Sequence, residues 1–115
     1  MKTNGLIVNI SSLSGIYPFK GAPVYSASKA GIVSFTRALG DYAKKNGIRI
    51  ACLCPSFAET KLLKGVDKRL YEKYLIPISY VIKALEIALD DRSINGVCLR
   101  ITPEFKIDVY PKSKL

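Results

Sequence analysis

Near the middle of the chain lies the segment Ile48-Arg49-Ile50-Ala51-Cys52-Leu53-Cys54, an almost continuous apolar run that ends at Pro55. A similar run, Leu6–Ile10, precedes it in the sequence, and another, Val97–Ile101, follows it. Short continuous apolar runs bounded by turn residues are typical of strands that are buried on both faces, as in parallel sheets. We therefore predict three strands that belong to one parallel sheet.

Helical segments are predicted between these strands. Val24–Lys45 contains no proline, is rich in alanine and is followed by Asn46-Gly47, which is typical of a helix C-terminus. Lys61–Tyr74 and Ser79–Leu89 are predicted as two further helices, of which the second carries an apolar face. The alternation of strands and helices predicts an α/β fold in which right-handed crossovers join parallel strands.

The predicted loops at the carboxyl ends of the first two strands are the expected place of an active site. In sheets of this kind, ligands bind beyond the carboxyl ends of the strands. The first loop, Ser11–Pro23, is rich in glycine and proline, and the second loop is Pro55–Thr60. We expect any active site to be built from these two loops and the start of the long helix.

Composition and charge limit the classes of protein. The chain has 115 residues and a mass of 12.7 kDa, which predicts one domain over residues 1–115 with a polar tail at 102–115. No apolar run is long enough for a membrane span, and no signal peptide is recognisable. The net charge of +9 is compatible with a nucleic-acid partner. Because the basic residues are scattered and no nucleic-acid-binding signature is present, we expect a solvated basic surface and no such partner.

The scarcity of metal-binding residues restricts the chemistry further. The chain has no histidine, which excludes a His-based triad and a His-ligated metal, and no metal site is expected. Cys52 and Cys54 are two residues apart in a predicted strand and so share a face, while Cys98 lies in another strand. We interpret these cysteines as small buried hydrophobic residues in a reducing compartment rather than as a redox or metal pair.

The strongest chemical signal is Tyr25-Ser26-Ala27-Ser28-Lys29 at the start of the long helix. Tyr25 and Lys29 are spaced i and i+4 and share a helix face, and an ammonium close to a phenol favours the phenolate. A Tyr-x-x-x-Lys pair alone is common and most often has no catalytic role. Ser12, at the end of the first strand, adds a hydroxyl that could hold a substrate oxygen. The three residues suit reversible hydride transfer, in which Tyr25 moves the proton and a nicotinamide takes the hydride.

These motifs together resemble the short-chain dehydrogenase/reductase family. The resemblance rests on Leu6–Ser12, on Tyr25–Gly31 and on Gly47–Ile50 leading to Pro55, in the order and spacing of the family. Within the family, the loop after the first strand and the segment from Asn95 to Thr102 resemble the NAD-dependent 15-hydroxyprostaglandin dehydrogenases. The resemblance implies an oxidoreductase that interconverts a secondary alcohol and a ketone with NAD(H), or alternatively with NADP(H).

The resemblance also implies roles for individual residues. Ser12 matches the substrate-orienting serine, Tyr25 the acid/base, and Lys29 the residue that supports the tyrosine and holds the nicotinamide ribose. The loop after the second strand is expected to touch the nicotinamide end of the cofactor through Pro55, Ser56 and Thr60, and Phe57 is expected beside the substrate. For Phe57 and Thr60, an ordinary loop anchor and a helix N-cap are equally good interpretations.

Two departures from the family pattern bear on the cofactor. Ser56 stands where the family has a glycine, and serine resists some of the backbone angles that glycine permits. None of the eight glycines forms the Gly-x-Gly turn that receives the pyrophosphate. The chain therefore resembles the C-terminal portion of a Rossmann-type doubly wound sheet without its N-terminal cofactor half, and no measurable NAD affinity is expected for it alone.

Partners and location are also predicted. Members of the family commonly pair across the helix that matches residues 24–45, which implies a homodimer. The alternative interpretation is a catalytically inactive chain that acts as a dimerising partner of full-length relatives. The sequence ends in Ser113-Lys114-Leu115, which is typical of a peroxisomal address, and a cytoplasmic protein is the alternative.

Overall fold

The structure is a computed structural model that describes residues 4–58, 65, 67–104 and 107–111. The described part contains six strands, three α-helices and short 3-10 turns. The strands are β1 Gly5–Ile10, β2 Ile48–Pro55, β3 Phe57–Ala58, β4 Leu75–Ile76, β5 Val97–Ile101 and β6 Ile107–Tyr110. The helices are α1 Pro23–Ala38, α2 Gly40–Lys45 and α3 Ile78–Asp90, and the 3-10 turns are Leu13–Gly15, Lys68–Leu70 and Glu72–Tyr74. Among these residues, no helix combines the length and the apolar character that crossing a bilayer requires.

The main sheet has the strand order β1-β2-β5-β6. β2 pairs in parallel with β1 on one side and with β5 on the other, as the three apolar runs predict. The carboxyl ends of β1 and β2 therefore lie at one edge of the sheet, where the loop after each strand begins. β3 and β4 form a separate two-stranded parallel ribbon, which the sequence did not predict.

The tail was predicted to be polar and without a strand, and that prediction is wrong for β6, which pairs antiparallel with β5. Arg100 on β5 lies opposite Asp108 on β6, and the guanidinium donates from two of its nitrogens to the two carboxylate oxygens. Ile107 and Val109 pack against the core from the same strand. Alternating polar and apolar residues suit an edge strand with one solvated face. The terminal tripeptide lies outside the described residues, so the peroxisomal address stays a prediction.

The helix predicted over Val24–Lys45 is two helices, α1 and α2, separated at Leu39. At this break Gly40 lies against Gly96, and a Cβ on Gly40 would stand 3.0 Å from the Gly96 Cα. Asn95 connects β2 to the start of α2 at the same place, because its side chain accepts a hydrogen bond from the Ile50 amide and donates one to the Gly40 carbonyl. The break therefore depends on a contact with a distant part of the chain.

The prediction for Lys61–Tyr74 is wrong in the described part of that segment, which forms two 3-10 turns and no α-helix. The Asp67 carboxylate accepts a hydrogen bond from the Arg69 amide, which competes with helical hydrogen bonding. Residues 61–64 and 66 lie outside the described residues. The helix predicted over Ser79–Leu89 is confirmed as α3.

The two faces of the sheet carry different cores. Under α3, the buried residues are aliphatic and include Leu53, Leu99 and Ile101. On the other face, Val33 packs with the three cysteines, each of which is 0% exposed and unpaired. This confirms that Cys52 and Cys54 share a buried face, since side chains alternate along a strand.

We predict that replacing two glycines by alanine changes the free energy of unfolding in opposite directions. Gly96 has a φ of +68°, and a Cβ there would lie 2.8 Å from the Gly40 Cα. Gly96→Ala should lower the free energy of unfolding by at least about 1–2 kcal/mol, the cost of a left-handed alanine. Gly31→Ala in α1 meets no atom within 4 Å and should raise it by about 0.5–1 kcal/mol. Urea denaturation followed by circular dichroism measures both, and equal shifts would contradict the close contact at Gly96.

Candidate active site

The carboxyl edge of the sheet begins where β1 and β2 end. After β1, the Ser11 amide continues the ladder by donating to the Leu53 carbonyl at 2.8 Å. After β2, the Ser56 amide donates to the Ile101 carbonyl at 2.9 Å. These bonds hold the first residues of both loops to the sheet, so the side chains that follow are positioned by strands rather than by free loops.

A hydrogen bond from Ser11 joins the first loop to α1. The Ser11 hydroxyl, which is 3% exposed, donates to the Lys29 carbonyl at 2.7 Å. Gly15 makes the close approach possible, because a Cβ there would lie 2.7 Å from the same carbonyl oxygen. The loop that contains Ser12 is therefore held against the helical turn that contains Lys29.

The start of α1 is anchored by a second hydroxyl. Pro23 occupies the first turn, where a missing amide hydrogen costs nothing, and the buried Ser26 hydroxyl accepts from the Phe19 amide at 2.9 Å. Tyr25 and Lys29 flank this anchor and are both partly exposed. The Lys29 Nζ lies 5.6 Å from the centre of the Tyr25 ring, so the ammonium and the phenol are neighbours as the i, i+4 spacing predicts.

Ser12 is nearly buried, with 6% of its surface exposed, and begins the 3-10 turn Leu13–Gly15. Its Oγ accepts a hydrogen bond from the Ser14 amide at 3.0 Å. A hydroxyl has one donor hydrogen as well as acceptor lone pairs, so this cap leaves the hydroxyl hydrogen available for another oxygen. Ser12 therefore has a structural role that is compatible with the role predicted for it.

A cleft of about 430 Å³ lies between the two loops. Ser12, Ser56 and Phe57 all line it, as does Tyr74 from the second of the two later 3-10 turns. The structure therefore brings Ser12 and Phe57 together in the lining of one cleft. Tyr25 and Lys29 are not part of this lining and lie on the adjoining helix α1. The Ser11–Lys29 and Phe19–Ser26 hydrogen bonds connect the cleft loop to that helix.

The sequence analysis predicted Phe57 beside the substrate but missed the aromatic side chains that surround it. The Phe19 and Phe57 rings meet edge to face with centres 5.2 Å apart, and the Tyr71 ring lies 6.0 Å from Phe57. Phe19 belongs to a loop interpreted only as breaker-rich, although aromatic residues in such a loop are themselves a signal of a binding surface. The cleft thus has an apolar, aromatic wall.

Tyr17 also lines the cleft, and a partly buried ion pair fixes its position. Its hydroxyl accepts from the Arg100 guanidinium at 2.6 Å, and Arg100 is held in turn by Asp108. The Asp108 carboxylate raises the pKa of Arg100, because it stabilises the charged guanidinium. The edge strand β6 therefore helps to shape the cleft.

The residues of the second loop that were predicted to contact the cofactor differ in position and in hydrogen bonding. Pro55 ends β2 at the expected edge. Ser56 uses its amide on Ile101 and its hydroxyl on the Tyr74 carbonyl, so neither donor is free for a cofactor. Thr60 lies outside the described residues.

We predict that the Ser11 hydrogen bond stabilises the loop measurably. Ser11→Ala removes a buried bond and should lower the free energy of unfolding by about 0.5–1.5 kcal/mol. Ser28→Ala is the matched control, because the Ser28 hydroxyl also donates to a carbonyl of α1, that of Tyr25, but is exposed and local. The control should change the free energy by less than about 0.5 kcal/mol. Trypsin should cleave after Lys20 faster in Ser11→Ala than in the unmodified protein, and Ser28→Ala should not differ from the latter. Equal cleavage rates in the two variants would contradict the conclusion that the Ser11 hydrogen bond holds the loop in place.

Comparison with known proteins relates this geometry to a family. The model for short chain dehydrogenase matches residues 1–70. The 15-hydroxyprostaglandin dehydrogenase of Bos taurus, whose name specifies NAD(+), is 34% identical over 116 residues, which cover 85% of this chain and 44% of that protein. The protein of the same name from Homo sapiens is 35% identical over the same shares. The 3-oxoacyl-(acyl-carrier-protein) reductase FabG of Chlamydia muridarum is 38% identical over 88 residues, 75% of this chain and 36% of that protein.

Solved structures share the fold. A 3-ketoacyl-(acyl-carrier-protein) reductase from Brucella melitensis, complexed with NADH, matches with a TM-score of 0.77 and 25% identity over 86% of this chain and 43% of that chain. A 3-hydroxyacyl-CoA dehydrogenase type-2 from Mycobacterium avium has the same fold, with a TM-score of 0.74 at 23% identity over 89% of this chain and 43% of that chain. The chain spans less than half the length of each of these relatives. The sequence match and the shared Rossmann-type fold establish that this chain belongs to the short-chain dehydrogenase/reductase family.

Proposed function

We propose that the protein carrying this chain is an NAD(H)-dependent oxidoreductase that interconverts a secondary alcohol and a ketone. Ser12, Tyr25 and Lys29 are the residues to which we assign the proton chemistry. The observation that carries the proposal is the Ser11–Lys29 hydrogen bond at 2.7 Å, because it holds the loop of Ser12 against the turn of α1 that bears the other two residues. Family membership supports the same reaction class.

In the direction of oxidation, each residue would have one role. The Ser12 hydroxyl donates a hydrogen bond to the substrate oxygen and orients it. Tyr25 takes the proton of the substrate hydroxyl, and the Lys29 ammonium stabilises the negative charge that the phenolate carries before the transfer. In the direction of reduction, Tyr25 returns the proton to the carbonyl oxygen.

The residues present fit the nicotinamide end of the cofactor. Tyr25 and Lys29 are partly exposed, and in the described part of the chain the Lys29 ammonium pairs with no carboxylate, so it is available to ribose hydroxyls. When bound, NAD(H) supplies the hydride acceptor or donor. The residues of this chain include no Gly-x-Gly turn for the pyrophosphate, and Tyr25, Lys29 and Pro55 would contact the nicotinamide end.

The cleft wall favours a substrate with apolar groups beside the reacting oxygen. Phe19, Phe57 and Tyr74 contribute aromatic surface, and Ser12 contributes a hydroxyl at one end. An alcohol on a long apolar chain, of the kind that the names of the prostaglandin dehydrogenase relatives indicate, matches this arrangement better than a small polar alcohol does.

We predict that Tyr25→Phe lowers kcat by about 10²- to 10⁴-fold, the usual contribution of a general acid–base group. The assay follows NADH absorbance during oxidation of a secondary alcohol, with any sequence that flanks this chain in the protein included. Tyr42→Phe is the matched control, because Tyr42 is exposed on α2 away from the cleft and should leave kcat unchanged. Full activity in Tyr25→Phe with an intact circular dichroism spectrum would refute the assignment.

A second candidate function is association, either as a homodimer or as a dimerising partner of longer relatives. α1 exposes Val24 (82%) and Phe35 (57%), which lie about three helical turns apart on one face, opposite the buried Val33. Exposed large apolar residues on one face of a helix favour contact with another protein surface. We therefore propose that residues 24–45 form the contact.

We predict that Phe35→Glu dissociates such a dimer, because it places a charge in the contact. Ile82→Glu on α3 is the matched control, since Ile82 is similarly exposed (51%) on a helix outside the proposed contact. Sedimentation velocity of the three proteins is the measurement. A monomeric starting protein, or equal dissociation by both substitutions, would rule out this contact.

A further inference from the structure

Every cysteine of the chain converges on one buried point between the sheet and α1. Cys52 and Cys54 project from the same face of β2, and Cys98 on β5 is the register partner of Cys52. The three Sγ atoms lie within 4.8 Å of one another, with 3.9 Å between those of Cys52 and Cys54. All three side chains are 0% exposed and none forms a disulfide.

We propose that Cys52, Cys54 and Cys98 form a three-thiolate binding site for a soft metal ion, Cu(I). The site is independent of the oxidoreductase proposal, since it uses none of the residues assigned to that reaction. Binding breaks three S–H bonds and forms three Cu–S bonds. The three protons pass to the buffer, and copper stays Cu(I), so no oxidant or reductant is consumed.

The spacing of the sulfurs suits a three-coordinate ion. With metal–sulfur bonds of about 2.3 Å, a planar trigonal site has its sulfurs about 4.0 Å apart. The Sγ atoms of Cys52 and Cys54 are already 3.9 Å apart. No two of the three Sγ atoms are more than 4.8 Å apart, so each distance would have to shorten by less than about 1 Å. Side-chain rotations of cysteine in place suffice for such a shift, and β2 and β5 keep their register.

The donor set favours Cu(I) over Zn(II). Structural zinc sites are tetrahedral and need four ligands. The chain has no histidine, and among the described residues no carboxylate joins the three sulfurs. Full burial also leaves little room for water as a fourth ligand. Thiolate-only, low-coordinate sites are those that soft Cu(I) prefers.

A neighbouring hydroxyl can offset part of the negative charge of the thiolates. The Thr36 hydroxyl lies beside the Cys52 sulfur. Thr36 is 0% exposed and its oxygen accepts from the Asn9 side chain at 3.3 Å, which leaves its hydrogen free to point at the sulfur. Such outer contacts tune metal sites and orient their ligands.

The test is an anaerobic titration of the reduced 115-residue chain with Cu(I) in competition with bathocuproine disulfonate, a coloured Cu(I) chelator. We expect one Cu(I) per chain to be withdrawn from the chelator without loss of far-ultraviolet circular dichroism. Each of three single variants should weaken Cu(I) binding by more than about 100-fold: Cys52→Ala, Cys54→Ala and Cys98→Ala. This loss exceeds the one that is typical when a residue that only hydrogen-bonds to a metal ligand is replaced. X-ray absorption should show three sulfur neighbours at about 2.3 Å.

Val33→Ala is the control for loss of core volume, because Val33 packs in the same cluster and has no thiol. It should keep the stoichiometry of one Cu(I) per chain. Failure of the folded chain to compete for Cu(I), equal binding by the cysteine variants, or tighter binding of Zn(II) than of Cu(I) would each overturn the proposal. Uptake that occurs only as circular dichroism is lost would also overturn it, because the thiols would then bind from the unfolded chain.

Discussion

The hydrogen bond from the buried Ser11 hydroxyl to the Lys29 carbonyl is the interaction on which the candidate site depends. Leu13 and Ile16 pack this loop against the core under α1, and small polar contacts fix its position relative to the helix. Ser26 supports the same arrangement by holding the Phe19 amide. Each bond contributes only about 1 kcal/mol, yet together they set the relation between Ser12 and the helical turn of Tyr25.

The sheet extends this arrangement to the second loop. Because β1 and β2 are parallel neighbours, both loops start at the same edge, and the cleft forms between them. The edge strand β6 takes part indirectly, since Asp108 holds Arg100 and Arg100 holds Tyr17 at the cleft wall. The opposite end of the sheet contributes to stability instead, because Asn95 and the contact of Gly40 with Gly96 fix the helices to the strands there.

The sequence was informative wherever local pattern determines structure. The parallel strands were predictable because full burial requires continuous apolar runs, and the Tyr25–Lys29 pair because helical spacing alone brings the residues together. β6 was missed because its alternating pattern covers only four residues, which is too short to predict a strand without the distant partner β5. The break at Leu39 and the aromatic wall around Phe57 were missed for the same reason, since each depends on contacts between residues far apart in sequence.

The central claim is that Ser12 and Tyr25 act on the same substrate oxygen. A crystal structure of the protein with a secondary alcohol bound tests this most directly. The account predicts that the alcohol oxygen lies about 2.6–3.2 Å from both the Ser12 Oγ and the Tyr25 hydroxyl, which is hydrogen-bond reach. An alcohol oxygen held by other groups, with the Tyr25 hydroxyl turned away from it, would contradict the claim.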